Sequence, residues 1–276
     1  MLNDVQAALA NAAGLPFCAT RPLHGGDIAD VVRMGDWVIK TARTEVDSTQ
    51  FLIEAEGLRA LSRRGIPTPT VTYADETGIV MPYHQPHNAS TSAYASFGEH
   101  LAALHLNQTP YSSAYDTIYL GAIPLSVGNP SRAWGEHFVE DRLRPLLTMA
   151  HTQGHRMTFI ELDWLAEQDF PLEGRCLIHG DLWAGNLLNC GAQIKLIDPS
   201  CWYGERGLDI AMLTLFGDLP STFWSSYESL YPISAHVRRF IPVYQLYYAL
   251  AHVCLFGQSY VALCRNLWQQ FEDSRT

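Results

Sequence analysis

Positive charge is in short supply. The chain has 18 lysines and arginines against 28 aspartates and glutamates, a formal net charge of −10, so a polyanion approaches a repulsive field. Nucleic acid is therefore not an expected partner, whereas a small anionic cofactor can still be met by local loops, helix ends and metal ions. Charge of either sign is sparse: 17% charged and 47% hydrophobic residues exclude a disordered chain and supply a packed interior. The six cysteines (Cys18, Cys176, Cys190, Cys201, Cys254 and Cys264) include no C-x-x-C pair. A core this large needs no staples, and reduced thiols in a cytosolic, cytoplasmic protein are expected. Residues 1–14 hold Asp4, no basic cluster and only scattered apolar residues, unlike a secretory signal. No formal charge falls between Arg239 and Arg265, a length that could cross a bilayer. Gln245, His252, Gly257, Gln258, Ser259 and several tyrosines interrupt it, and their polar groups would be stranded in lipid. No membrane association is expected, and the stretch reads as a buried helix pair.

Internal repeats and low-complexity tracts are also absent, and 276 residues suit one large domain or two unequal lobes. The pattern is two-lobed, α+β in class, dividing at 1–82 and 83–276. Residues 23–34 and 37–40 read as a hairpin, punctuated by His24-Gly25-Gly26-Asp27 and Gly35-Asp36. Residues 47–64 read as a helix with a capping box from Asp47 to Gln50 and a stop at Gly65 and Pro67. Strands are expected at 71–73 and 78–81, and 82–90, with two prolines, is the linker. Beyond it, apolar spacing predicts helices over 92–107, 131–150, 158–168, 207–216 and 242–255. The exception is 176–201, where Leu177-Ile178 ends a strand and Leu187-Leu188 pairs with 194–197.

The polar residues that a fold alone would not need gather there. His179-Gly180-Asp181-Leu182-Trp183-Ala184-Gly185-Asn186 sets an aspartate and an asparagine five apart in a glycine-bounded bend, and Asp198 follows twelve residues later. Phosphoryl transfer uses such a set: a carboxylate within reach of the attacking hydroxyl, and oxygen ligands holding Mg²⁺ against nucleotide phosphates. Aspartates and asparagines are also ordinary turn residues, so the spacing of all three, behind His179 and Gly180, carries the argument. Asp209 lies in an otherwise apolar helix. It either accepts backbone hydrogen bonds from the bend carrying Asp181 or favours the helix dipole.

Lysines are few, and Lys40 ends the apolar run Trp37-Val38-Ile39. A strand-end lysine can be a solvated edge charge. Placed before a glutamate-bearing helix, it also suits the lysine–glutamate pair with which kinases grip phosphates. At 100° per residue, Phe51, Ala55, Leu58 and Leu61 share a face with Glu54, while Glu56 lies nearly opposite. A carboxylate on the buried stripe needs a partner, so Glu54 is the expected mate of Lys40. Gly25, Gly26 and Asp27 permit close backbone approach to a phosphate, although two adjacent glycines alone mark only a turn.

Taken together, these residues resemble the fructosamine (ketosamine) kinases, in the superfamily that also holds aminoglycoside and choline kinases. The octapeptide at 179–186, with its tryptophan, Gly25-Gly26-Asp27-Ile28, 51–61, 134–145, Ile197-Asp198-Pro199, Phe216-Gly217 and 246–257 have counterparts in order. The resemblance implies a bilobal protein-kinase-like fold, a β-rich nucleotide-binding lobe and a larger helical lobe with ATP between them. The implied reaction moves the γ-phosphoryl group of ATP to the third-carbon hydroxyl of a ketosamine, which makes the adduct labile and so repairs glycation. Asp181 would take the proton of the hydroxyl, Asn186 and Asp198 would ligate Mg²⁺, and Lys40, held by Glu54, would contact phosphate. Adenine would lie along 80–84, at Met81 and Tyr83. Trp183 and His252 are candidates for the sugar side, as wall and hydroxyl partner, with a core role as the alternative for each.

Some positions depart from the family pattern. Ala251 and Cys254 flank His252 where asparagines are frequent, and Pro82 replaces a linker glutamate, removing a backbone donor. The glycine loop 24–29 has no cysteine, so redox-controlled dimerisation is not expected. Phosphorylation of another amine-bearing alcohol, such as an aminoglycoside or choline-like compound, and a non-catalytic nucleotide-binding scaffold are the competing readings.

Overall fold

The strand that carries Lys40 runs through the centre of a five-stranded antiparallel sheet. A computed structural model describes residues 2–23, 29–43, 49–129, 131–171 and 173–274. Helix α1 (Asp4–Ala12) opens with a capping box between Asn3 and Gln6, at 2.8 and 3.1 Å, satisfying donors that a first turn leaves free. Then come β1 (Thr20–Leu23), β2 (Ala29–Met34), β3 (Trp37–Ala42), helix α2 (Gln50–Arg63), β4 (Tyr73–Asp75) and β5 (Gly78–Pro82). Their order in the sheet is β1-β2-β3-β5-β4, and Lys40 lies opposite Val31 on one side and Ile79 on the other. Because side chains alternate along a strand, Ile39 and Val80 pack under α1 with Leu9 and Met34. Ile79 and Met81 face α2, against Phe51, Ala55 and Leu58. Lys40 shares that second face.

The hairpin expected over 23–34 and 37–40 is three strands, and only its second turn, with Gly35 at φ +59°, is among the described residues. Helix α2 begins at Gln50. Asp47 lies outside the described residues, Thr49 makes no side-chain cap, and Gln50 Nε2 donates to the Gly121 carbonyl at 3.1 Å.

The remainder is mostly helical. It comprises α3 (Thr91–Leu106), the hairpin β6 (Thr117–Leu120) and β7 (Ile123–Ser126), α4 (Trp134–Phe138), a π-helical turn (Val139–Leu143), α5 (Arg144–Thr152) and α6 (Leu162–Ala166). Strand β8 (Arg175–Ile178), a 3₁₀ turn (Ala184–Asn186), β9 (Leu187–Asn189), β10 (Ile194–Leu196) and β11 (Trp202–Glu205) follow. Helices α7 (Gly207–Leu215), α8 (Ser221–Leu230), α9 (Ala235–Phe256) and α10 (Val261–Asp273) complete it. Helical spacing over 131–150 does not hold through: Pro145 has no amide hydrogen, and the Arg144 amide reaches back five residues to Val139. Hairpin β6–β7 is a departure too. Ile118, Leu120, Ile123 and Leu125 join the core of the helical part, while Pro124 and Ser126 stay exposed, a two-residue period in β7 between the helices expected over 92–107 and 131–150.

Helices α9 and α10 form the buried pair expected of the charge-free stretch, with Tyr244, Tyr247, Tyr248 and Trp268 in one core with Trp134 and Phe138. No helix among the described residues is long and apolar enough to cross a membrane. All six cysteines are free thiols. The chain is α+β, with a β-rich first part and a helical second part.

Candidate active site

The bend after β8 is pinned from three sides. Buried Asp209, in the first turn of α7, accepts the backbone amides of His179 at 2.8 Å and Gly180 at 2.9 Å, and meets His105 Nε2 at 3.2 Å. The backbone role expected of Asp209 is the one the geometry provides. The Ser200 amide donates to His179 O at 2.9 Å, and the Tyr248 hydroxyl donates to Gly180 O at 3.1 Å. His179 donates from Nε2 to Ile197 O at 3.0 Å and accepts the Asp181 amide at Nδ1. Burial lowers its pKa and keeps the ring neutral, as that pattern requires. Gly180 has φ +79°, and a Cβ there would collide with the Ser200 carbonyl, so glycine is the residue that fits.

This bend and the β9–β10 hairpin bring Asp181, Asn186 and Asp198 together. Asn186 Nδ2 donates to the Asp181 carboxylate at 3.2 Å and to its carbonyl at 2.8 Å, while the Ile197 amide donates to Asn186 O at 3.1 Å. Leu187 pairs with Leu196, which returns the chain to Asp198 beside the loop. Asp198 has φ +54° and is the one non-glycine residue among those described in the left-handed region, a strain often kept at functional positions.

Lys40 closes the set. Its Nζ donates to both Glu54 oxygens, at 2.9 and 2.8 Å, and to Asp198 Oδ1 at 2.9 Å. Glu54, on the buried face of α2, is thus the partner of Lys40, and Glu56 turns away to accept from Ser113 Oγ at 2.9 Å and the Ala114 amide. Burial pulls the Lys40 ammonium down, but the charges of Asp198 and Glu54 hold its pKa above the usual lysine value. Burial pushes the Glu54 carboxyl up, and the Lys40 charge pulls against it. Burial likewise lifts Asp181 to about 7; the Asn186 donor draws it back, and Asp198 and Asp209 push it up.

These groups line one cavity of about 690 Å³, which also takes in Trp183 and His252. Trp183 is 40% exposed, and His252 donates from Nδ1 to Tyr248 O at 2.8 Å. Met81 and Tyr83 are not among the lining residues: Met81 packs into the core under α2, and the Tyr83 amide donates to Asp36 O at 2.7 Å. Gly25, Gly26 and Asp27 lie outside the described residues. Sequence reasoning missed Phe256 and Tyr260 in the lining. Phe256 lies one turn beyond His252 on α9, a helical spacing that was visible but read as core, whereas Tyr260 reaches the wall only because the chain turns at Gly257 into a 3₁₀ segment.

No group of three or more histidines, cysteines, aspartates and glutamates able to hold a metal occurs among the described residues. An amide oxygen at Asn186 and a carboxylate at Asp198 are nevertheless hard oxygen donors. They suit Mg²⁺, which keeps waters and takes substrate phosphates for its remaining positions. The Asn186 amide nitrogen is engaged by Asp181, leaving its oxygen as the free donor.

Comparison with known proteins agrees with this geometry. A family model described as fructosamine kinase matches residues 1–273. A probable ketoamine kinase of Thermus thermophilus is 39% identical over 255 residues, 92% of this chain and 93% of the relative. The crystal structure of a candidate fructosamine-3-kinase of Thermobifida fusca superposes with a TM-score of 0.85 at 28% identity, covering 99% of this chain and 100% of that one. An ADP-bound aminoglycoside phosphotransferase shares the fold alone, at TM-score 0.67 and 14% identity over 99% of this chain and 97% of that one. The two-lobed architecture is accordingly protein-kinase-like, and the chain, a phosphotransferase matched nearly end to end, belongs to the fructosamine kinase family.

Proposed function

We propose that this protein transfers the γ-phosphoryl group of ATP to the third-carbon hydroxyl of a ketosamine, the adduct left when a reducing sugar rearranges on an amine. The observation that carries the reading is the chain of contacts from Glu54 through Lys40 to Asp198, in one cavity with the Asp181–Asn186 pair, Trp183 and His252. Asp181 accepts the proton of the attacking hydroxyl at its carboxylate, and its upward-shifted pKa near 7 suits a base working at neutral pH. Asn186 holds Asp181 in place by its side-chain nitrogen. Asn186 and Asp198 are the residues that would hold Mg²⁺, which neutralises charge on the transferred group. Lys40, anchored by both oxygens of Glu54, turns its third donor from Asp198 to phosphate. The adenine edge is assigned to the backbone of 80–84 on the resemblance alone, since Met81 is paired with Val38 across the sheet and the Tyr83 amide is engaged by Asp36 O. Gly25, Gly26 and Asp27 are assigned to the phosphates on sequence alone. Division into a nucleotide-binding lobe at 1–82 and a substrate-bearing lobe at 83–276 fits this assignment, as does a cytoplasmic setting where ATP is plentiful.

Phosphorus-detected turnover of ATP with fructose and ribulose adducts of simple amines, beside a panel of aminoglycosides and choline, tests the proposal. Phosphorylated ketosamine is the expected product. Turnover of the panel alone would assign the site to a different amine-bearing alcohol, and turnover of nothing would leave the scaffold reading.

A further inference from the structure

The part of the cavity lined from α7, α9 and the turn after α9 is walled by aromatic rings. His252 is the hub, with ring centroids of Phe216 and Tyr260 each 4.9 Å away and Phe256 at 5.5 Å. Trp183 joins the same lining from the catalytic bend. Phe216 is 45% and Phe256 48% exposed. Large apolar side chains gathered at one opening, rather than scattered over the surface, mark a place where something is received.

The charge of this wall narrows what that is. Among the described lining residues, the permanent cation is Lys40, and Glu54 and Asp198 occupy it. His252 is neutral: its Nδ1 hydrogen goes to the Tyr248 carbonyl, and burial lowers its pKa. Its Nε2 is then a lone-pair acceptor. The wall thus has aromatic rings, whose faces attract cations, apolar edges from Ala251 and Leu255, one neutral acceptor at His252, one neutral donor in the Tyr260 hydroxyl, and, among the described lining residues, no unoccupied cation to pair with a carboxylate. A ketosamine joins its sugar to a protonated secondary amine that carries a substituent.

We propose that the Phe216–His252–Phe256–Tyr260 wall receives the amine-borne substituent of the ketosamine and selects apolar carriers over carriers bearing a carboxylate. The inference rests on the ketosamine reading of the site. The sugar and the reacting hydroxyl stay with Asp181. The amine lies over the rings, and an aliphatic or aromatic group fills the apolar edge, whereas an α-carboxylate loses its hydration with no cation and at most a neutral hydroxyl to replace it.

The test uses the intact protein and three fructose adducts that differ only in the amine: benzylamine, butylamine and glycine. Expected is a kcat/KM for the benzylamine and butylamine adducts at least about tenfold above that for the glycine adduct, the scale on which apolar pockets discriminate. Phe216→Ala and Phe256→Ala should lower that ratio, mainly through a higher KM for the benzylamine adduct, and Phe256→Tyr, which keeps the ring, should restore it. Equal or reversed preference in the unaltered protein, or a ratio unmoved in both alanine variants, overturns the inference while leaving ketosamine phosphorylation intact. Turnover of none of the three, nor of the matching ribulose adducts, overturns both.

Discussion

The carboxylate of Asp209 accepts the backbone amide of Gly180 at 2.9 Å. A helix thereby grips the bend that presents Asp181, and the grip depends on two unusual residues. Asp209→Ala strands the amides of His179 and Gly180 in a fully buried place, at about 1–3 kcal/mol each. Urea denaturation should register a loss of roughly 3 kcal/mol or more, with turnover lost in parallel. Gly180→Ala should be as damaging, since it adds a left-handed penalty to a collision with Ser200. A variant at either position that keeps normal stability would show that the bend holds itself.

Asp181→Asn should separate chemistry from folding. The asparagine still offers an oxygen to Asn186 Nδ2, now 3.2 Å from the Asp181 carboxylate, so stability should stay within about 1 kcal/mol. Loss of the base should lower kcat by about 10²–10⁴ with a small change in the KM for ATP. Near-normal turnover would remove Asp181 from the role of base.

Lys40 and Glu54 should act as one unit. Lys40→Ala and Glu54→Ala should both weaken ADP binding measured by calorimetry and raise the KM for ATP, because Glu54 holds Lys40 by two contacts. Glu56→Ala should leave nucleotide binding near normal and instead loosen the segment at Ser113 and Ala114 that it fastens. The reverse order of effects on ADP would assign the phosphate-facing pair to the wrong carboxylate.

Glu205 should make stability depend on pH. Burial raises its carboxyl from 4.5 to about 7, so the folded state binds its proton more tightly than the unfolded chain does. Its contribution is complete below about 4.5 and is lost as pH rises through about 7. That interval corresponds to on the order of 3 kcal/mol. Glu205→Gln keeps the neutral shape without the titration. Denaturation at pH 4.5 and pH 8 should show the unaltered protein losing stability relative to Glu205→Gln as pH rises; parallel curves would show that Glu205 titrates as an ordinary glutamate.

Local features were legible because neighbours in the chain suffice to make them. The β9–β10 hairpin and the Asn186–Asp181 contacts close within a few residues, so spacing alone joined Asp181, Asn186 and Asp198, although the bend itself is held from Asp209 and Tyr248. Helical phase likewise separated Glu54 from Glu56, since one turn of α2 decides which carboxylate faces the core. The break at Val139–Leu143 was harder to see. Pro145 signals a lost hydrogen bond, but whether a helix stops or loosens into a wider turn depends on the packing around it. The β6–β7 hairpin was hidden by its brevity, four apolar residues in alternation beside strong helical periods.

The amino-acid sequence by itself determined the chemistry: which residues bear the carboxylates, amide and lysine, and which short segments hold them in a bend, a hairpin and a helix face. Tertiary structure decided what meets across distance. Lys40 reaches Asp198 over 158 positions, Asp209 reaches back to His179 and Gly180, and His252 gathers Phe216, Phe256 and Tyr260 into a wall. No local period encodes such meetings. An aromatic side chain on a helix reads the same whether its face is covered by a neighbouring helix or left open to a cavity, and only the packing of whole elements settles which.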